Sequence, residues 1–257
     1  MAKKPLAVVI GAGPGLGIAL IRRFAQGGPG GGMAVGFMAR RASSVAEYQK
    51  ALDAEGLETK GFVADAGDPL AVSRVLADLR KTHGDAEALV YNAAIIEPSR
   101  FVTPSGISEA QYSTAPGWKA RGEPVDFDYV MDTFRTNVAG AHHAAREVAP
   151  AMIARSRGSI ILTGGVLAFG PWIEWGVTSL GKAALRSLGH SLYKELSPHG
   201  VQVSTVAIHG TMAKGTPYDH DRVADAYWHV HLRPKTEWDP DFHFKPHADD
   251  GADPDAR

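Results

Sequence analysis

Leu6-Ala-Val-Val-Ile10-Gly11-Ala-Gly13-Pro-Gly15-Leu16-Gly17 runs an apolar pentapeptide into a glycine cluster, and Ile18, Leu20, Ile21 and Phe24 then continue with helical periodicity. A short apolar run bounded by glycine has the length of a buried strand, and the residues after the glycines open an amphipathic helix. Glycines at such a junction let the backbone turn sharply and approach a pyrophosphate, whose charge is met by free N–H groups and the positive end of the helix. The alternative is a tight strand-to-helix turn with no ligand. A clean strand before the turn and a helix after it, at the head of a βαβ series, give the dinucleotide reading the context it requires. Leu16 occupies the sixth place of G-x-G-x-x-G, so the spacing that fits is G-x-x-x-G-x-G on Gly11, Gly15 and Gly17.

Outward from this turn, Met33 to Met38, Gly61 to Val63, Ala88 to Tyr91, Ser159 to Leu162 and Val201 to Ile208 read as further buried strands. Helix-length segments lie between them: Leu16 to Gln26, Ser44 to Ala54, Pro69 to Thr82, Phe127 to Arg155 and Ser179 to Leu196. That alternation predicts an α/β fold, a doubly wound parallel sheet forming one Rossmann-like domain over residues 1–246. Pro98 to Pro124 breaks the rhythm with four prolines and Trp118, and is expected to be an irregular insertion acting as a lid or binding loop. Residues 217–233 read as an amphipathic lid helix. A closing strand is hard to find, with Trp238 to Phe244 a poor substitute, and the acidic stretch 247–257 is expected to be disordered.

Composition narrows the function classes. Among 257 residues, 27 Lys and Arg face 28 Asp and Glu, so no basic excess exists for a phosphate backbone or an anionic membrane surface. The 44% hydrophobic and 21% charged content is that of a globular chain with material for a core. With no cysteine, disulfides, thiolate metal sites and a cysteine nucleophile are excluded. No signal-length apolar region precedes the glycines, which makes the cytoplasm the expected location. The apolar stretch Ile160 to Ile173 is broken by three glycines and a proline, and is too short for a membrane span. Eleven histidines raise a metal reading, yet His229 and His231 are two apart and cannot share a helix face with each other, so no metal is expected even with His220 nearby.

After the second strand the chain reads Met38-Ala39-Arg40-Arg41, where NAD users of Rossmann type place a carboxylate on the ribose 2′-hydroxyl. Two guanidinium forks suit a 2′-phosphate, so NADP is expected over NAD. The alternative is that both arginines cap a solvated loop.

The glycine spacing, together with Asp65 after the third strand, Asn92-Ala93-Ala94 after the fourth, Asn137 in the long helix and Lys182 in the next, resembles the short-chain dehydrogenases/reductases over residues 5 to 215. The resemblance implies a phosphate loop on Gly11, Gly15, Leu16 and Gly17, an adenine contact from Asp65, and a cofactor-lining element at Asn92 and Ala93. It also implies an NAD(P)-dependent oxidoreductase, and a homodimer or tetramer built through the long fifth helix of the family pattern. Catalysis in that family uses Asn, Ser, Tyr and Lys. Asn137 and Lys182 match, while the Tyr position holds Thr178 and the Ser position Gly165. An aliphatic hydroxyl is far less acidic than a phenol, so Thr178 cannot supply the same general acid. Thr163 offers a hydroxyl two residues upstream, here read as structural, and Trp175 a ring without one.

A replacement acid would come from loops at the carboxyl ends of the strands, and His209, after the sixth strand, is the best placed. Its alternative is a loop histidine bonded to backbone; Tyr218 and Tyr112 are further candidates, or else lid packing. Three functions are compatible with these residues: an NADP-dependent oxidoreductase with a non-standard proton donor; a lyase, isomerase or cyclase on the same scaffold; or a non-catalytic NADP-binding sensor. Phe169, Trp172, Trp175 and Trp118 point to an apolar substrate.

Overall fold

The computed structural model describes residues 3–107 and 122–246. Within them, seven parallel strands form one sheet in the order β3-β2-β1-β4-β5-β6-β7. The strands are β1 Leu6–Ile10, β2 Ala34–Ala39, β3 Thr59–Val63, β4 Ala86–Tyr91, β5 Gly158–Thr163, β6 Val201–Ile208 and β7 Asp241–Phe244. The helices are α1 Leu16–Gln26, α2 Ala42–Ala54, α3 Pro69–His83, α4 Phe127–Phe134, α5 Gly140–Ala154, α6 Gly176–Leu196 and α7 His220–Leu232. The expected doubly wound, Rossmann-like architecture is present. Strand order reverses at β1, between β2 and β4, which is where such sheets open a crevice for ligands.

Two apolar layers sandwich the sheet. One joins Val8, Leu89, Ile160 and Val203 to Val72 and Leu76 of α3, Ala144 and Val148 of α5 and Leu185 of α6. The other joins Val9, Val90, Ile161 and Val206 to Leu20 and Phe24 of α1, Tyr48 of α2 and Val223 and Tyr227 of α7. Successive strand residues alternate between these layers, so a strand buried on both faces reads as a continuous apolar run.

Four features depart from expectation. The helix expected to run unbroken from Phe127 to Arg155 contains a π turn, Arg135–Ala139, between α4 and α5. Insertions of this kind recur at functional sites and are invisible to a 3.6-residue period. A seventh strand does form: β7 pairs in register with Thr205 to Ile208 of β6. The segment 217–233 is not a free lid, because Val223, Tyr227 and Val230 of α7 are fully buried against α1. Trp175 is also buried, beside α6, and lines no open surface.

The start of the irregular insertion is strapped down. Ser99 N donates to the Glu174 carbonyl at 2.6 Å, Ser105 Oγ to Glu174 Oε2 at 2.7 Å, and Arg100 pairs with the same carboxylate. Tyr112, Trp118 and the stretch 247–257 lie outside the described residues. No described helix is long and apolar enough to cross a membrane.

Candidate active site

The glycine turn is stitched to both neighbouring strands. Gly11 N and Ala12 N donate to the Met38 carbonyl at 3.1 and 2.8 Å, and Asn92 N donates to the Ile10 carbonyl at 2.8 Å. Gly11 has φ +96°, and a Cβ there would collide with Ala93, so both conformation and packing demand glycine. A Cβ on Gly17 would come within 2.9 Å of Ala12 and Gly11 backbone, because α1 packs directly on the loop. Leu16 is buried in the core. A Cβ on Gly13, by contrast, would meet nothing within 4 Å. α1 begins after Gly15, its N-cap, with no side-chain cap and no acidic residue in its first turn, leaving its first amides free of protein anions. The cradle therefore fits a cofactor diphosphate.

Arg40 and Arg41 leave the end of β2 exposed, with Arg41 at the N-cap of α2. Asp65 comes after β3 and accepts from Gly67 N at 2.8 Å, shaping the turn into α3.

Beneath the carboxyl ends of β1, β4 and β5 runs a chain of hydrogen bonds. Tyr227 OH donates to Thr163 Oγ1 at 2.9 Å, Thr163 Oγ1 donates to Asn92 Oδ1 at 3.0 Å, and Asn92 Nδ2 donates to the Gly11 carbonyl at 2.8 Å. Lys182 Nζ donates to the Thr163 carbonyl at 2.6 Å. Burial lowers the Lys182 pKa to about 8 and raises that of Tyr227, which stays a neutral phenol. Thr163, read from the sequence as structural, is thus the joint between cofactor loop, lysine and α7. The part played by Tyr227 was not legible, since a tyrosine on an apolar helix face gives no sign of where its hydroxyl ends.

Asn137 sits in the π turn and clamps Ile95 from both sides: its Oδ1 accepts from Ile95 N at 2.7 Å and its Nδ2 donates to the Ile95 carbonyl at 3.1 Å. A Cβ on Gly181 would lie 3.1 Å from Asn137 Nδ2, which places the asparagine against α6 next to Lys182. Thr178, buried, lies one turn before the lysine on the same helix. Gly165 has an extended backbone, and a Cβ there would approach nothing closer than the Ile208 carbonyl at 3.9 Å.

His209 stands at the far wall. Its Nε2 is 2.7 Å from His243 Nδ1 and its ring stacks on Phe169 with centroids 5.9 Å apart. Burial, then Lys245 and His243, lower its pKa. Tyr218 is buried and donates to the His209 carbonyl at 2.6 Å, which closes the loop after β6. The three histidines of α7 diverge: His231 Nδ1 meets Ser159 Oγ at 2.7 Å, His229 lies beside Phe242, and His220 turns to the glycine loop. Among the described residues no group of three side chains could hold a metal.

Residues 5–222 match the short chain dehydrogenase family. A rabbit (Oryctolagus cuniculus) dehydrogenase/reductase SDR family member 4 is 29% identical over 202 residues, spanning 79% of this chain and 68% of that protein. The 2,3-dihydro-2,3-dihydroxybenzoate dehydrogenase of Bacillus subtilis strain 168 is 26% identical over 202 residues, 79% of this chain and 68% of its own length. A metagenomic short-chain oxidoreductase solved in complex with NADP superposes with a TM-score of 0.75 at 23% identity, covering 95% of this chain and 97% of that one. A match running from before the first strand into the seventh helix, on a sheet of the same architecture, is more than a shared turn: the chain belongs to the short chain dehydrogenase family.

Proposed function

We propose that the protein is an NADP-dependent oxidoreductase acting on an apolar small molecule, with a proton donor other than a tyrosine at position 178. The observation that carries the cofactor choice is Arg40-Arg41 at the exposed end of β2, beside the glycine turn and without a carboxylate. Arg41 also marks the N-terminus of α2, whose first turn holds no acidic residue, so a 2′-phosphate would meet guanidinium and helix dipole together. When bound, the nicotinamide would supply or accept the hydride.

The chain's own residues divide the remaining work. The free amides of α1 bind the diphosphate, Lys182 Nζ presents its remaining protons to the ribose, and Asn137 fixes the loop after β4 through Ile95. Neither Thr178 nor Gly165 matches the phenol and serine of the family pattern. Val166, Phe169, Trp172 and Ile173 expose apolar surface on the loop after β5, which supports an apolar substrate. Exposed Phe127, Met131 and Phe134 on α4 support association into a homodimer or tetramer through the long helix.

Calorimetric titration of NADPH and NADH into wild type and Arg40→Ala tests the reading. NADPH should bind more tightly, and Arg40→Ala should cost about 1.5–3 kcal/mol on NADPH alone, the scale of a hydrogen bond to a charged group. Equal affinities for both cofactors in the wild type would remove the NADP assignment.

A further inference from the structure

Gly15 has φ −96° and ψ −113°, a pair outside both the helical and the extended wells, and as a helix N-cap it lacks the side-chain acceptor that Ser or Asp would supply. A second reason for the glycine is what stands over it. A Cβ at Gly15 would lie 2.6 Å from His220 Nε2 and 2.9 Å from its Cδ2. The imidazole edge rests on the N-cap of α1, whose first turn has no side-chain cap and no acidic residue.

The helix that carries the ring is held from behind. His220 is the first residue of α7, and α7 is locked to α1: Trp228 meets Phe24 edge-on at 5.3 Å between centroids, Asp225 pairs with Arg23 at 2.5 Å, and the Arg23 guanidinium lies 5.4 Å from the Trp228 ring centre. Asp219, just before it, is committed to backbone, accepting from Gly215 N at 2.6 Å and Asp221 N at 3.1 Å. The carboxylate next to the imidazole is thus engaged with its own loop.

We propose that His220 is a second-side ligand of the cofactor diphosphate, its Nε2 donating to a diphosphate oxygen that the first amides of α1 hold from the other side. The inference rests on the reading of the glycine loop as an NAD(P) site. It makes α7 part of the cofactor cradle, and it explains Gly15 as the residue that lets the ring approach.

The test is calorimetric titration of NADPH, ADP and adenosine 2′-monophosphate into wild type, His220→Ala, His220→Gln and Gly15→Ala, with thermal melts of each variant. His220→Ala should weaken NADPH and ADP about tenfold or more, the lower end for a lost hydrogen bond to a charged group, and leave the ligand without a 5′-diphosphate unchanged. His220→Gln, which keeps an N–H at similar reach, should recover most of the loss. Gly15→Ala should reproduce the loss with the fold intact, because its Cβ meets only the far end of a side chain. Unchanged or tighter NADPH binding by His220→Ala would overturn the proposal, the latter showing that the ring competes for the cradle. Equal weakening of adenosine 2′-monophosphate would overturn it too, as general damage. A wild type that binds neither NADPH nor NADH would instead overturn the cofactor reading beneath it.

Discussion

Lys182 keeps an ammonium where water does not reach: its residue is 6% exposed, and it donates to a neutral carbonyl. Its folded-state pKa of about 8 lies below the 10.5 of a free lysine, so the unfolded chain holds the proton more tightly. Stability should then rise with pH between those values, and at neutral pH the buried charge costs on the order of 3 kcal/mol. Lys182→Met, which keeps the stem and removes the charge, is expected to be more stable than wild type at pH 7 in urea unfolding. It should also lose the rise in stability from pH 8 to 10 and bind NADPH more weakly. An unchanged slope would show that this lysine is hydrated in solution. Such a cost is what a functional group incurs when it is held for a ligand and not for the fold. Lys182 and Asn137 were singled out in the sequence through the resemblance to the short-chain dehydrogenases/reductases, whose motif residues keep a local spacing from strands and turns. His220 was not, since its approach to Gly15 spans 205 positions and exists only through the packing of α7 on α1.

Two elements whose part in the fold is hidden in the sequence are fixtures of the structure, and each can be loosened by one atom or charge. α7 is anchored at Tyr227, whose phenol stays neutral because burial raises its pKa. Tyr227→Phe removes the donor to Thr163 Oγ1 and should cost about 1 kcal/mol, seen as a lowered Tm with the spectrum of the folded state preserved. No loss of stability would mean that the hydroxyl is not held there. β7 is four residues long, too short to show a period, and an ion cluster fixes it instead. Asp241 Oδ2 accepts from Arg186 Nε at 2.9 Å and lies 2.9 Å from His190 Nε2. Burial alone would raise the Asp241 pKa, but bonds from Arg186 and His190 outweigh it and hold the carboxyl below the usual carboxylate value. Its contribution is present above the ordinary carboxylate pKa and is lost as pH falls through the lowered one. Asp241→Asn should destabilise by about 1–3 kcal/mol at pH 7, and acid titrations of variant and wild type should converge at low pH. A constant difference across pH would assign the effect to shape instead of charge. The π turn at Asn137 was equally illegible, because an added residue in a helix shifts the register without altering composition.

At the scale of the whole molecule, the fold could be read from one stretch because a doubly wound sheet repeats a single unit, whereas the chemistry as proposed turns on positions 165 and 178, read as departures from the family pattern. Gly165 is not demanded by its backbone, and Thr178 is buried one turn from Lys182, so the site as proposed lacks a phenol to protonate a developing alkoxide. General acid catalysis of that kind contributes about 10²–10⁴ in rate, so simple ketones should be turned over poorly with NADPH. Acceptors already activated, an iminium or a conjugated enone protonated by solvent, should lose less. If His209 serves as the acid, only its protonated form can donate, and burial, Lys245 and His243 all disfavour that form. The rate should then fall as pH rises through a value below that of an ordinary imidazole, and His209→Ala should abolish this dependence. The hydrogen bond between His209 and His243 ties the two rings, so His243→Ala should shift the profile without erasing it. NADPH consumption measured across pH on matched ketone, iminium and enone panels separates these outcomes. Efficient reduction of plain ketones by wild type, undiminished in His209→Ala, would sink both branches and require an acid from elsewhere in the chain, with Lys182 itself the nearest proton carrier to the Thr163 joint.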